Sequence, residues 1–343
     1  MEREIIIDGS EGEGGGQVLR TSLTLSAITG KPIRVENVRG KRKKPGLYRQ
    51  HLTAFKAAAE ICGARLEGAE LGSSEIAFYP KAIKGGEYRF DIGSAGASTL
   101  VAQTILPILS HAKTPSTVTI TGGTHNLWAP SFDFLNHAFL PQFRKMGGHA
   151  SADLISHGFY PAGGGKIELD IQPVSSPQTF ELTTRGDAVN EQAEIVLSNL
   201  KREIGERELK VLKKRLALSD DQTKIIHVDG PGPGNCVSVF LEFENITEVF
   251  VNLGQHGVRA ETVANTIAQD VREYKLSPAA IGEHLADQLL LPMALMRGGR
   301  FTTTTLSQHT QTNIDIIKRF LDVDISAVQT ERKCWAVEVK TPA

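Results

Sequence analysis

The 343-residue sequence predicts an α/β (α+β) protein in which a βαβαββ order recurs and is interrupted by a stretch of different character. Three observations carry this reading. Glycine clusters fall where short β-branched runs give way to helical spacing. The same order of elements starts again near Tyr88 and in part near Ala279, so internal repetition has to be considered before unrelated domains. Between those copies, a long charged segment after about Arg185 breaks the pattern.

Ile5 to Gly9 reads as a strand, Gly12 to Gly16 as a loop, and Gln17 to Ile28 as a helix. Leu19, Leu23 and Ala27 stand four apart, and Gly30 supplies the stop. A strand at Pro32 to Val38, an alanine-rich helix at His51 to Cys62, and strands at Arg65 to Glu67 and Glu75 to Tyr79 complete the first copy. The second runs through a strand at Tyr88 to Ile92, a small-residue loop, and a helix near Leu100 to Leu109. A strand at Thr117 to Thr121, a helix near Phe132 to Lys145 and a strand ending at Asp170 follow. A third, partial copy is expected from Ala279, with helices at Ile281 to Met296 and Asn313 to Leu321 and strands at Phe301 to Leu306 and Ala336 to Lys340.

The intervening stretch predicts a long charged helix near Asn190 to Leu216, strands at Cys236 to Glu244 and Glu248 to Leu253, and a helix at Ala260 to Tyr274. It reads as an inserted α/β domain, 185–278, within a larger domain formed by 1–184 and 279–343. Pro173 to Pro177 and Ser277-Pro278 lie near its hinges.

Composition sets bounds on function. With 40% apolar and 22% charged residues and a net charge of −1, the chain has neither a membrane-spanning apolar run nor an overall basic surface. Met-Glu-Arg-Glu at the start does not resemble a secretion signal. The three cysteines, Cys62, Cys236 and Cys334, are odd in number and far apart, against a disulfide framework or a four-cysteine zinc site. A reducing cytoplasm is the expected setting. Any polyanion site must be local, and Arg39 to His51, with Lys41, Arg42, Lys43, Lys44 and Arg49, is such a concentration. By itself it is equally a solvated basic loop.

The loop Gly12-Glu13-Gly14-Gly15-Gly16 suits phosphate, because glycine lets backbone N–H groups approach an anion at a positive helix start. It lacks the Gly-Lys-Ser/Thr ending of a P-loop, and a tight structural turn remains as good a reading. Glu13 in its middle is an odd choice beside phosphate unless a divalent cation lies between them. Glu283 and Asp287, four apart on one helix, are as compatible with a solvated acidic face as with a site.

The most distinctive string is His157-Gly-Phe-Tyr-Pro161-Ala-Gly163-Gly164-Gly165-Lys166-Ile167. It resembles the signature of the RNA 3′-terminal phosphate cyclase family. Gly12 to Gln17 with Leu19-Arg20, Lys44-Pro-Gly-Leu47 with Arg49 to Leu52, Glu244 to Glu248, Leu285 to Leu289 and His309-Thr-Gln-Thr312 are similar to other parts of it, in the family's order. The resemblance implies three βαβαββ units, related to the repeat of enolpyruvyl transferases, plus a smaller inserted domain.

It also implies an ATP-dependent conversion of an RNA 3′-phosphate to a 2′,3′-cyclic phosphate through an adenylylated histidine. His309 matches that nucleophile. By the same resemblance Gln103, Arg20 and His284-Leu285-Ala286-Asp287-Gln288 belong to the ATP site, Arg39, Arg42, Gln50 and His51 to the RNA end or its phosphates, and Glu13 to a divalent metal, magnesium or manganese. The family often carries tyrosine where His284 stands, which leaves base preference open. The expected partners are ATP and RNA with a 3′-phosphate end, without a membrane, and homodimerisation stays open. Two other readings share the fold: a non-catalytic cyclase-like RNA-binding protein of ribosome biogenesis, disfavoured by the presence of His309, and an enolpyruvyl transferase, disfavoured by the basic loop and the insertion.

Overall fold

The computed structural model describes residues 4–342, so the opening residues read as lacking a secretion signal lie outside the described part except for Glu4. The first unit comprises β1 (Ile5–Asp8), α1 (Gly16–Thr29), β2 (Ile33–Glu36), α2 (Arg49–Cys62), β3 (Arg65–Glu67) and β4 (Ile76–Tyr79). Gly30, at φ +74°, ends α1 by donating its N–H to the Ser26 carbonyl, as a left-handed residue does at a helix C-terminus. The second unit has β5 (Glu87–Asp91), α3 (Ser98–Ser110), β6 (Ser116–Gly122), a π-helical turn (Phe134–Phe139) running into α4 (Leu140–Lys145), then β7 (His149–Ser156) and β8 (Gly165–Gln172).

The third unit begins earlier than its sequence pattern suggests. Its first strand, β9 (Phe180–Leu182), pairs in parallel with a strand 119 residues later, Arg300 opposite Glu181. Three residues are too few to give a periodic signal, so the sequence placed the start near Ala279. The insertion therefore separates the first strand of this unit from its first helix. Before the chain returns it forms β10 (Ala188–Ser198), α5 (Arg202–Leu216), β11 (Thr223–Val228), β12 (Gly234–Phe243), β13 (Thr247–Leu253) and α6 (Ala260–Lys275). The third unit then resumes with α7 (Glu283–Leu295), β14 (Gly299–Thr303), α8 (Gln308–Phe320), β15 (Asp324–Glu331) and β16 (Cys334–Lys340).

Three sheets share one topology: β1-β2-β4-β3, β5-β6-β8-β7 and β9-β14-β16-β15. In each, the first two strands are parallel and the others antiparallel. The parallel pair needs a helical crossover, which is why a glycine-containing loop and a helix follow the first strand of the first two units. The fourth sheet, β11-β10-β12-β13, belongs to the insertion.

The long helix expected over Asn190 to Leu216 is a strand as far as Ser198 and helical only from Arg202. Ala193, Ile195 and Leu197 are buried at two-residue spacing, and this alternation outweighs the charged composition. Strand β11, absent from the sequence reading, pairs in parallel with β10 after the α5 crossover. Arg185 joins the two ends of the insertion: its guanidinium donates to the carbonyls of Tyr274, Ser277 and Ala279 and lies over the Tyr274 ring.

The main core draws on all three units. Helix α1 packs against α2, α3 and α8, and α7 against α8. Because α1 is enclosed, its hydroxyls find partners inside: Ser22 donates to the Val18 carbonyl, Thr24 to the Thr104 carbonyl and Thr21 to Asn313 Oδ1. This arrangement brings the starts of α1 and α8 together with the first turns of α7. No helix of the described residues is long and apolar enough to cross a membrane.

Candidate active site

Sequence spacing started the last helix at Asn313, but α8 starts at Gln308. Ser307 is its cap, accepting the Thr310 N–H at 3.1 Å. The polar run Gln308 to Thr312 has no apolar periodicity to mark a first turn, so the start was not visible. His309 consequently sits in that first turn, exposed to solvent.

The ring of His309 is oriented from behind. Its Nδ1 lies 2.5 Å from Gln17 Oε1, while Gln17 Nε2 donates to Asp287 Oδ1. With its Nε2 on Asp287, the amide turns Oε1 to His309, and since an amide oxygen only accepts, Nδ1 must be the donor. The lone pair of the neutral ring is left on Nε2. Asn313 Nδ2 donates to the Asp287 backbone carbonyl at 2.9 Å and to Oδ1 at 3.3 Å, and is itself fixed by Thr21. Burial raises the Asp287 carboxyl above its usual range, opposed by the Gln17 hydrogen bond and then by the charges of His309 and Arg20.

The glycine loop is held to this helix. Thr312 Oγ1 accepts the Glu13 N–H at 3.0 Å. Gly12 has φ +56°, and a Cβ there would fall 2.2 Å from Thr312 Oγ1, so both conformation and space call for glycine. The Glu13 side chain, only 4% exposed, forms an ion pair with Arg42. Lys41 Nζ donates to the Gly12 carbonyl at 2.8 Å. The basic loop thus folds back over the glycine loop, with Lys43 and Lys44 pointing to solvent.

Arg20 projects from α1 and donates from Nε to Gln103 Oε1 at 3.1 Å, bringing α3 into the site. Burial lowers its pKa to about 10, against the opposing charges of Asp287 and Glu13, so it stays cationic at neutral pH. His51 is 5% exposed, and burial, followed by the charges of Arg20, Arg39 and Arg42, lowers its pKa to about 3. It is therefore a neutral ring. Nδ1 accepts the Tyr48 N–H at 3.4 Å, which assigns the ring proton to Nε2. A Cβ on Gly16 would fall 2.5 Å from that Nε2 and 2.8 Å from an Arg20 nitrogen, so the bare glycine admits both groups to the start of α1.

Other sequence-selected residues are placed differently. Arg39 donates to the carbonyls of Lys44 and Gly46 at 3.0 and 2.9 Å, and its guanidinium lies 3.9 Å from the Tyr48 ring centroid. It shapes the basic loop. Gln50 accepts the Ala97 N–H at 3.0 Å, tying α2 to the start of α3. In α7, His284 is exposed, whereas Leu285 and Ala286 are in the core. Gln288 joins Gln17, Arg20, Gln103 and Asn313 around a cavity of about 20 Å³, enough for a water and not for a nucleotide. A larger cleft of about 570 Å³ lies at the insertion, beside Arg185, Glu191, Phe243 and Lys275, and shares no residue with this site.

In the sequence Gln17 has no marked role, and Thr312 and Asn313 mark only a helix start. Gln17 meets Asp287, Thr312 meets Glu13 and Asn313 meets Thr21 across 270 to 299 residues, and no local spacing encodes such contacts. The signature string 157–167 proves to be a packing junction. Gly158 N–H donates to Thr124 Oγ1 at 2.9 Å, a Cβ on Gly163 would fall 3.0 Å from the Ala95 backbone, and a Cβ on Gly164 would meet Pro231 of the insertion.

Among solved structures, the chain is similar to the enolpyruvyl transferase NikO from Streptomyces tendae, with 12% identity and a TM-score of 0.39. The match covers 97% of this chain and 47% of that one, so this chain spans about half the length of that relative. The model of the family described as RNA 3′-terminal phosphate cyclase matches residues 11–327, a span that takes in the glycine loop, the basic loop, the signature junction and His309, and the chain belongs to that family.

Proposed function

We propose that this chain is a catalytic RNA 3′-terminal phosphate cyclase, which uses ATP to turn an RNA 3′-phosphate into a 2′,3′-cyclic phosphate with His309 as the adenylyl acceptor. The observation that supports this is the Asp287–Gln17–His309 relay, which leaves the lone pair of an exposed imidazole on Nε2. Nε2 attacks the α-phosphorus of ATP, a P–N bond forms, and pyrophosphate leaves with the electrons of the broken P–O bond. Gln17 keeps the Nδ1 proton in place, and the Asp287 charge behind it favours the cationic ring that results.

An oxygen of the RNA 3′-phosphate then attacks the adenylyl phosphorus, and the P–N electrons return to Nε2. Finally the 2′-hydroxyl attacks the 3′-phosphorus, AMP departs and the hydroxyl proton is released. Activation is needed because a phosphate dianion has no good leaving group. The remaining residues act by positioning and charge. Arg20, Arg42 and the Nε2–H of His51 are the donors for phosphate oxygens, with Gln50 holding the α3 loop beside them. Exposed His284 offers a ring for the base of ATP.

Glu13 would hold magnesium or manganese. One carboxylate, with the rest of the shell left to phosphate oxygens and water, is a common mode for such ions. Arg42 would release Glu13 as the ion binds. The ion would supply neutralisation of phosphate charge. We also take 185–278 as a domain inserted into one formed by 1–184 and 279–343, since Arg185 clamps its two ends together. A cytoplasmic setting suits its three buried free cysteines.

The test is incubation with α-labelled ATP and magnesium, followed by detection of acid-labile protein-bound AMP. Wild type should label and His309→Ala should neither label nor cyclise. A wild-type chain that binds RNA but never labels would belong to a non-catalytic branch of the family, and full labelling of His309→Ala would move the nucleophile elsewhere.

A further inference from the structure

Three groups outside the proposed active site meet where the second unit joins the insertion. His125 lies in the loop after β6, Asp133 directly precedes the π-helical turn, and Cys236 is in β12. One potential ligand atom from each lies within 4.8 Å of the others. His125 is 1% and Cys236 0% exposed. Such burial is costly for polar groups left without partners.

The partners are indeed incomplete. His125 Nε2 is buried without a hydrogen bond; Asp133 Oδ2 is 3.4 Å away but lacks hydrogen-bond alignment. Cys236 Sγ has Ser238 Oγ at 3.6 Å, and the same hydroxyl donates to Asp133 Oδ2 at 3.2 Å. Everything behind the imidazole is fixed. Its ring stacks on His157 and Phe159, with centroids 5.3 and 5.4 Å away. Thr124 and His125 both donate their backbone N–H groups to the Gly158 carbonyl. Thr124 Oγ1, 2.8 Å from His125 Nδ1, can accept the proton of that nitrogen, which would leave the Nε2 lone pair directed into the cluster. An oriented histidine with an oxygen on its second nitrogen is the usual support of a metal ligand.

We propose that His125, Asp133 and Cys236 form a structural site for a borderline-soft divalent cation, zinc above all, that ties β12 of the insertion to the second unit. The nitrogen, oxygen and sulfur donor set selects zinc over magnesium, which prefers oxygen alone. The Ser238 hydroxyl or a water completes four-coordination. Binding converts the Cys236 thiol to a thiolate and releases its proton to solvent. Because the ligands come from two parts of the fold, only the folded chain assembles the site, and the cation stabilises it by mass action. This role also accounts for the tight glycine junction at 158–165, which holds the histidine in place.

Cobalt(II) provides the test, because its spectrum reports thiolate ligation independently of enzyme activity. Protein purified without chelator should carry about one zinc per chain by mass spectrometry of metals. After chelation, titration with cobalt should produce a near-ultraviolet thiolate-to-cobalt band and visible bands of tetrahedral geometry, both displaced by zinc. Cys236→Ala should lose the near-ultraviolet band, Asp133→Asn should weaken cobalt binding, and Cys62→Ser and Glu13→Gln should keep the spectrum. Absence of the band when cobalt is added to the stripped wild type would overturn the site without recourse to any variant. So would its survival in Cys236→Ala.

Discussion

Gln17 Oε1 accepts the Nδ1 proton of His309, although the two residues are 292 apart in the chain. The amide has its other end on Asp287, so Gln17 links the acidic residue to His309 by hydrogen bonds.

Gln17→Ala should therefore slow adenylylation more than it alters folding. Without the acceptor at Nδ1, the ring can place its proton on Nε2 and lose its nucleophilic tautomer. A loss of roughly 10²-fold is expected, the lower end for misplacing a proton in a reacting group. Single-turnover labelling with α-labelled ATP measures it, and a rate equal to wild type would remove the relay from the mechanism.

Glu13→Gln should abolish most of the metal dependence of labelling. Glu13 is buried and its partner Arg42 half-exposed, so glutamine keeps an acceptor in place while Arg42 can still be solvated, and the melting temperature should fall less than labelling does. Parallel loss of folding and activity would instead make Glu13 a structural residue of the glycine loop.

An RNA whose 3′-phosphate end lacks the terminal 2′-hydroxyl should still accept AMP, because that hydroxyl enters only in the last displacement. The end carrying AMP on its 3′-phosphate should accumulate, since the neighbouring nucleophile of high effective molarity is missing. Chromatography of the labelled RNA separates the species. A deoxy end that binds but never accepts AMP would contradict the order of steps.

The contributions of Glu208 and Glu248 to stability should fall as pH rises from about 4.5 to 7. Burial raises Glu208 and Glu248 from 4.5 to about 7 each. In that window the folded chain retains protons that the unfolded chain has released, so their contribution is full below the unfolded value and lost as pH passes the folded one. Glu208→Gln and Glu248→Gln preserve the acceptors for Asn235 Nδ2 and the Gly282 N–H. Each should raise stability at pH 8 relative to wild type, by about 1–3 kcal/mol, with little change at pH 4.5. Variant-minus-wild-type differences in melting temperature cancel the opposite trend of His51, whose lowered pKa makes stability rise between pH 3 and 6.5. A difference that does not vary with pH would mean that neither carboxyl is shifted.

The sequence by itself determined the elements whose signals are local. Glycine after a short strand marked the crossover loops, four-residue apolar spacing marked α1, and the ordered motifs from Gly12 to Thr312 pointed to the family and to His309. Tertiary structure decided whatever depends on distant partners. Strand β9 exists because β14 pairs with it, and β10 is a strand because the β11 and β12 neighbours satisfy its backbone where composition alone suggested helix. Arg39 was expected at a phosphate, and only the folded loop shows that one of its guanidinium nitrogens donates to the carbonyls of Lys44 and Gly46. Gln17 is unremarkable in sequence and central in space, because a hydrogen bond depends on atoms within about 3 Å, and only the packing of α8 against both α1 and α7 brings Asp287 and His309 to either end of its amide.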